Sequence, residues 1–136
     1  MNETSRHVDF KGFIFIMEYI KINDYTILKD GTVLNKNQKL LKGHISSKGY
    51  VIYNLSDGSK RLEYFIAPVL FNFEPYLINI FKISHLNFIK EDNSFDNLLV
   101  YNKNRKKYVA MHNGIPFVFI NGFPVKESVN VRLELL

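Results

Sequence analysis

The sequence predicts a small, single-domain α+β protein with β-rich segments on both sides of its centre. Three observations lead there. Asp30-Gly31, Asp57-Gly58 and Asn121-Gly122 each lie between apolar runs, the strongest short-range signal for a β-hairpin. Helix signals are confined to two places, Pro68 and the basic stretch after Asn102. The chain of 136 residues is 46% hydrophobic and 15% aromatic, enough for one modest core and too apolar for a disordered chain. It shows no internal repeat and no linker.

The elements follow in order. Residues 1–12 read as a polar arm, and residues 13–22 as a strand rich in β-formers. Tyr25-Thr26-Ile27-Leu28 and Thr32-Val33-Leu34 flank the Asp30-Gly31 turn. Residues 35–48 read as a basic loop carrying Lys36, Lys39, Lys42 and Lys48. A second hairpin spans 49–66, with Lys60 and Arg61 at its tip. Pro68 suits the first turn of a helix over 67–73, because its missing N–H is unpaired there anyway. Residues 76–84 alternate loosely and predict a strand that runs into His85. Leu98 to Tyr101 predicts a short strand, and Asn102 predicts the cap of a basic helix through Lys103, Arg105, Lys106 and Lys107. A third hairpin turns at Asn121-Gly122, and the alternation of Val129, Val131, Leu133 and Leu135 predicts a last, half-buried strand.

Composition narrows function. The net charge is +5, which favours a polyanionic partner. Only Arg6, Arg61, Arg105 and Arg132 are arginines, so the excess is lysine, a point charge suited to phosphate rather than to bidentate base reading. Cysteine is absent, which excludes disulfides and thiolate metal sites and points to a reducing interior. No apolar run is long enough to span a bilayer, and nothing at the start resembles a secretory signal. His7, His44 and His112 lack ligand spacing, no serine sits in a nucleophile motif, and no Gly-rich phosphate loop occurs.

One segment carries a motif. His85 is followed by Asp92-Asn93 and then by Asn97-Leu98, in the register of N-H-x-D-G-N-x-x-N-N-x-x-x-N-L. This resembles the second half of the HNH homing-endonuclease motif of the phage and organellar-intron type. Upstream, Tyr25, Ile27, Gly31 and Val33, then Gly49-Tyr50, Leu55 and Asp57-Gly58, resemble the small nuclease-associated module that precedes many such nucleases. Downstream, residues 101–105 resemble the family's closing step. The resemblance covers about 24–108 and implies an HNH-like ββα-type core with hairpins on both sides. It divides the chain into an arm and strand (1–23), the hairpins with a degenerate HNH-like module (24–108) and a C-terminal hairpin extension (109–136).

The departures bear on chemistry. The family opens its helix with H-R-L-V-A-x-x-F, and matching the last Phe to Phe73 puts Ile66 at the general-base histidine and Phe65 at the neighbouring metal-ligand position. Neither can do that work. Asp92 falls on the asparagine that completes the metal site, and the family's Asp-Gly after the histidine is replaced by Asn87-Phe88. His85 is then either a relic ligand or a structural histidine bonding loop backbone, and Asp92, Asn93 and Asn97 are relic positions or ordinary turn and cap residues.

The resemblance therefore implies a non-catalytic nucleic-acid-binding protein, with no cofactor and with RNA favoured over DNA. Lys36, Lys39, Lys42, Lys48, Lys60, Arg61, Lys103, Arg105, Lys106 and Lys107 are the candidate phosphate contacts. The expected setting is intracellular, in a mitochondrion or a phage-infected cytoplasm. There the chain would be a fixed part of a nucleoprotein assembly such as an organellar ribosome, with protein neighbours and no membrane. Two alternatives stay open: an active phage-type HNH endonuclease using Mg²⁺, and a protein-binding inhibitor or structural phage protein.

Overall fold

The computed structural model describes residues 3–9, 14–104 and 106–136, with side chains described from residue 18 onward. In chain order the strands are β1 (Glu3–Asp9), β2 (Ile14–Ile22), β3 (Tyr25–Leu28), β4 (Val33–Leu34), β5 (His44–Ile45), β6 (Val51–Leu55) and β7 (Gly58–Arg61). Helix α1 (Leu62–Leu70) and a 3₁₀ turn (Pro75–Asn79) precede β8 (Phe81–His85). A second 3₁₀ turn (Phe95–Asn97) leads to β9 (Leu98–Asn102), β10 (Lys107–His112), β11 (Ile115–Ile120), β12 (Phe123–Glu127) and α2 (Val131–Leu135). Three antiparallel sheets result, ordered β1-β2-β3-β4, β5-β6-β7 and β12-β11-β10-β9-β8. The fold is mixed α+β, as composition and turns predict.

The hairpin turns fall where the Asx–Gly pairs predict them. Gly31 sits at φ +90, and its position abuts Asn93: an added Cβ would lie 3.1 Å from the Asn93 carbonyl oxygen. Asp30 Oδ1 accepts from the Thr32 amide at 2.9 Å, and that bond holds the Asp30 carboxyl below its ordinary pKa. Asn121-Gly122 turns with both residues at positive φ (53 and 83), the requirement of a type I′ hairpin. Asn113-Gly114 makes a further hairpin of the same kind, at φ 51 and 80.

Five expectations are corrected. The described part of the polar arm, Glu3–Asp9, is strand β1, paired with β2 from Glu3↔Lys21 to Asp9↔Ile14. A polar segment needs only the open edge of β2 to form that ladder; residues 1, 2 and 10–13 lie outside the described residues. Helix α1 starts at Leu62, not at 67, and holds Pro68 in its interior. Leu62, Glu63, Ile66, Ala67 and Leu70 form its buried face, a helical spacing hidden inside a run apolar enough to imitate a strand. The helix stops in a Schellman turn, with Asn72 at φ 57 and the Phe73 amide donating to the Pro68 carbonyl at 3.0 Å.

Residues 75–79 are a 3₁₀ turn opened by Pro75, so β8 begins only at Phe81. Asn102 caps no helix: its Oδ1 accepts from the Asn104 amide at 3.2 Å, and the chain turns there from β9 toward β10. The alternation of Val129 to Leu135 ends in α2, not a strand. Asn130 Oδ1 caps it by accepting from Leu133, and Val131 and Leu135, four residues apart, share the buried side while Val129 and Leu133 stay exposed.

One core joins these elements. Ile20, Ile27 and Val33 come from the first sheet, Leu62, Ile66 and Leu70 from α1, and Phe81, Ile83, Leu98 and Val100 from β8 and β9. Val109, Met111, Val118, Val131 and Leu135 complete it from the C-terminal segment. In the C-terminal sheet Phe119 stacks on Tyr108 at 5.1 Å, and Phe117 meets His112 edge-on at 5.9 Å.

Truncation after Lys107 removes five core side chains and is expected to abolish cooperative unfolding. Leu135→Ala is expected to cost about 2–4 kcal/mol in urea denaturation at unchanged m. A truncated chain that still unfolds cooperatively would show the C-terminal segment to be dispensable for folding.

Candidate functional site

The motif residues converge where β7 passes into α1 and β8 ends. Glu63, in the first turn of α1, has a side chain with no exposed surface. The Arg61 guanidinium closes on it from one side, with Nε 3.4 Å from Oε1 and Nη2 3.1 Å from Oε2. His85 Nε2 lies 3.7 Å from Glu63 Oε2 on the other. The same Nε2 is 2.7 Å from Asn93 Oδ1. An amide oxygen only accepts, so Nε2 carries the proton. Arg61 also lies over two rings, with Cζ 3.4 Å from the Tyr50 centroid and 4.7 Å from that of Tyr64.

The loop after His85 is tied by side chains. Asp92 Oδ1 accepts from the Ser94 hydroxyl at 2.7 Å and amide at 3.2 Å, and Oδ2 accepts from Asn87 Nδ2 at 2.8 Å. The Ser94 hydroxyl bond is the chief reason the Asp92 carboxyl sits below its ordinary pKa. Asn97 is buried; its Nδ2 donates to Asn87 Oδ1 at 2.9 Å and to the Asp92 carbonyl at 2.7 Å, and its Oδ1 accepts from the Asn87 amide at 3.0 Å. The Phe95 amide donates to the Lys29 carbonyl at 2.8 Å, which seats the loop on the β3–β4 hairpin. Asp96 accepts from the amides of Asn113 and Gly114.

Of the motif positions, His85 bonds a side chain, not loop backbone as expected, and Asp92 and Asn97 serve the turn. Ile66 is fully buried in the core, and Phe65 packs edge-on against Tyr25 at 6.2 Å. The helix residue that faces His85 is Glu63, which the sequence reading missed by placing it in a strand. A lone carboxylate inside Leu62-Glu63-Tyr64-Phe65-Ile66 was the available signal. Among the described residues no three His, Asp or Glu side chains come together as metal ligands.

The basic candidates separate into two groups. Lys36, Lys39, Lys42 and Lys48 are exposed, and the segment 35–48 contains no carboxylate. It is two tight turns rather than one loop. Asn35 Oδ1 accepts from the amides of Asn37 and Lys39, and the Ser46–Tyr50 turn closes with Gly49 at φ +91. Lys103 and Lys106 are exposed in the β9–β10 turn. None of these six has a carboxylate partner among the described residues. The rest are engaged. Lys60 and Arg61 lie on β7, not at a tip; Lys60 is 3.8 Å from Asp57, and Arg61 holds Glu63. Lys107 is 3.9 Å from Glu134. Arg105 lies outside the described residues.

No family model, curated protein or solved structure matches the chain.

Arg61→Ala strands a buried carboxylate and is expected to lower stability by about 3 kcal/mol or more. Adding Glu63→Gln is expected to restore part of that loss in a urea double-mutant cycle. A double-variant loss equal to the sum of the two single losses would mean that the pair is not coupled.

Because folding lowers the Asp92 pKa, its contribution is complete above the unfolded value near 3.8 and fades as pH falls below it. The stability gap between the native chain and Asp92→Ala is therefore expected to be widest near neutrality and to shrink toward pH 3. A gap independent of pH over that interval would refute the assignment.

Proposed function

We propose that the protein binds nucleic acid without cleaving it. In this reading it is a degenerate relative of the HNH homing endonucleases that serves as a fixed component of a nucleoprotein assembly. The observation that carries the reading is that Lys36, Lys39, Lys42 and Lys48 are exposed and, among the described residues, lack a carboxylate partner, in a segment free of carboxylates. Phosphates are their natural counter-charges, and Arg61, the arginine nearest the motif, is committed to Glu63. The HNH-like part of the reading rests on the motif residues around His85 and on the β6–β7–α1 succession that leads into them.

The site's own bonds support the non-catalytic half. His85 spends its Nε2 proton on Asn93, Glu63 is closed over by Arg61, and both oxygens of Asp92 are taken up in the loop. A hard cation such as Mg²⁺ wants several oxygen ligands around an open position. The nuclease alternative retains one observation, the Glu63 carboxylate 3.7 Å from His85 at a helix start.

Six phosphate contacts, from Lys36, Lys39, Lys42, Lys48, Lys103 and Lys106, are expected to give a log–log salt slope of about −5 on duplex, at roughly 0.9 per phosphate. Replacing Lys36, Lys39, Lys42 and Lys48 with glutamine is expected to reduce the slope to about −2. Binding that ignores salt, or no binding at low salt, would move the weight to a protein partner. Supercoiled plasmid with Mg²⁺ or Mn²⁺ is expected to stay intact; cleavage that Glu63→Gln or Asp92→Ala abolishes would restore the nuclease reading.

A further inference from the structure

We propose that Phe88 is a stacking platform for an unpaired base of single-stranded or bulged nucleic acid. This rests on the nucleic-acid reading above and names the form of nucleic acid the surface selects.

The tip of the loop after β8 presents apolar side chains to solvent: Phe88 is 90% exposed, Ile89 55% and Leu86 36%. Phe88 is also held at φ 62, a left-handed conformation that an aromatic residue rarely adopts. Its amide donates to the His85 carbonyl at 3.2 Å and closes the turn. Glycine would make that turn without strain. The loop cannot relax the strain away, because Asn87, Asp92 and Asn97 bind one another across its base. A strained backbone that presents a bare ring on a rigid base is the arrangement of a functional contact.

The neighbouring charge identifies the partner. Lys90 Nζ donates to the Lys48 carbonyl at 2.8 Å and lies 4.6 Å from the Tyr50 centroid. The tip therefore adjoins the end of the lysine-bearing segment. A ligand that sets an aromatic face on Phe88 and a phosphate near Lys48 is a nucleotide of a strand. Glu91 is also exposed at the tip, so the tip itself suits a base face better than a phosphate. Beneath Phe88 lies a cavity of about 110 Å³ lined by Tyr50, Ile83, Ser84, His85 and Lys90. It is well below the roughly 300 Å³ at which ligand pockets begin, so the base stacks outside. A paired base inside a duplex shows no free face, so the strand must be unpaired there.

The chain contains no tryptophan, so Phe88→Trp introduces a single fluorescent reporter. Titration of that variant with oligouridylate or oligothymidylate is expected to quench its emission in step with binding followed by anisotropy. Phe88→Gly removes the ring and the strain together. It is expected to fold with equal or greater thermal stability, keep the native salt slope and lose about tenfold in single-strand affinity, with no matching loss on intact duplex. If the native chain binds with salt dependence while Phe88→Gly binds equally well and the tryptophan is not quenched, the platform is refuted and the proposed function stands. If the native chain binds no nucleic acid at low salt, both fall.

Discussion

The structure depends on one buried carboxylate. Glu63 has no exposed surface and would be costly to bury alone, so its surroundings are obliged to compensate it. Arg61 does so from the end of β7, His85 approaches from the end of β8, and Asn93 holds His85 from the loop beyond. Two segments about twenty residues apart in sequence, the β7–α1 junction and the end of β8 with its loop, are thereby held together. The start of α1 gains as well, since a carboxylate in the first turn opposes the positive end of the helix. Tyr50 and Tyr64, whose rings lie under Arg61, add cation–π contacts to the pair.

The loop from Leu86 to Asn97 extends that constraint outward. Phe95 anchors its far end in the core, and polar side chains tie the rest. Asn97 satisfies both its amide groups on Asn87 and Asp92, and Asp92 turns its oxygens inward. Gly31 presses against Asn93, so the first hairpin supports the loop from below. The same rigidity maintains Phe88 in a conformation it would not choose.

Charge is redistributed by the fold rather than merely displayed. Lys60, Arg61 and Lys107 share the sign of the other basic residues, yet each faces a carboxylate in the folded chain. Lys126 likewise meets Glu134 at 2.6 Å. Lys36, Lys39 and Lys48 instead lie in turns whose own hydrogen bonds hold the backbone.

The amino-acid sequence by itself determined the hairpins and the β-rich class. Asp30-Gly31, Asp57-Gly58 and Asn121-Gly122 act locally, because only a few residues tolerate positive φ and the strands beside them have no other way to turn. It also determined the lysine-rich, carboxylate-free character of residues 35–48, which is composition and needs no fold. Tertiary structure decided the rest. Leu62 to Ile66 is apolar enough for either period, and packing between the first sheet and β8 made it helical and put Glu63, not Ile66 or Phe65, opposite His85. Val131 and Leu135 alternate in sequence, yet burying that pair four residues apart favoured a turn of helix over a strand. Which basic residues remain free was equally invisible, because their carboxylate partners are chosen by proximity in space, and local sequence carries little record of that.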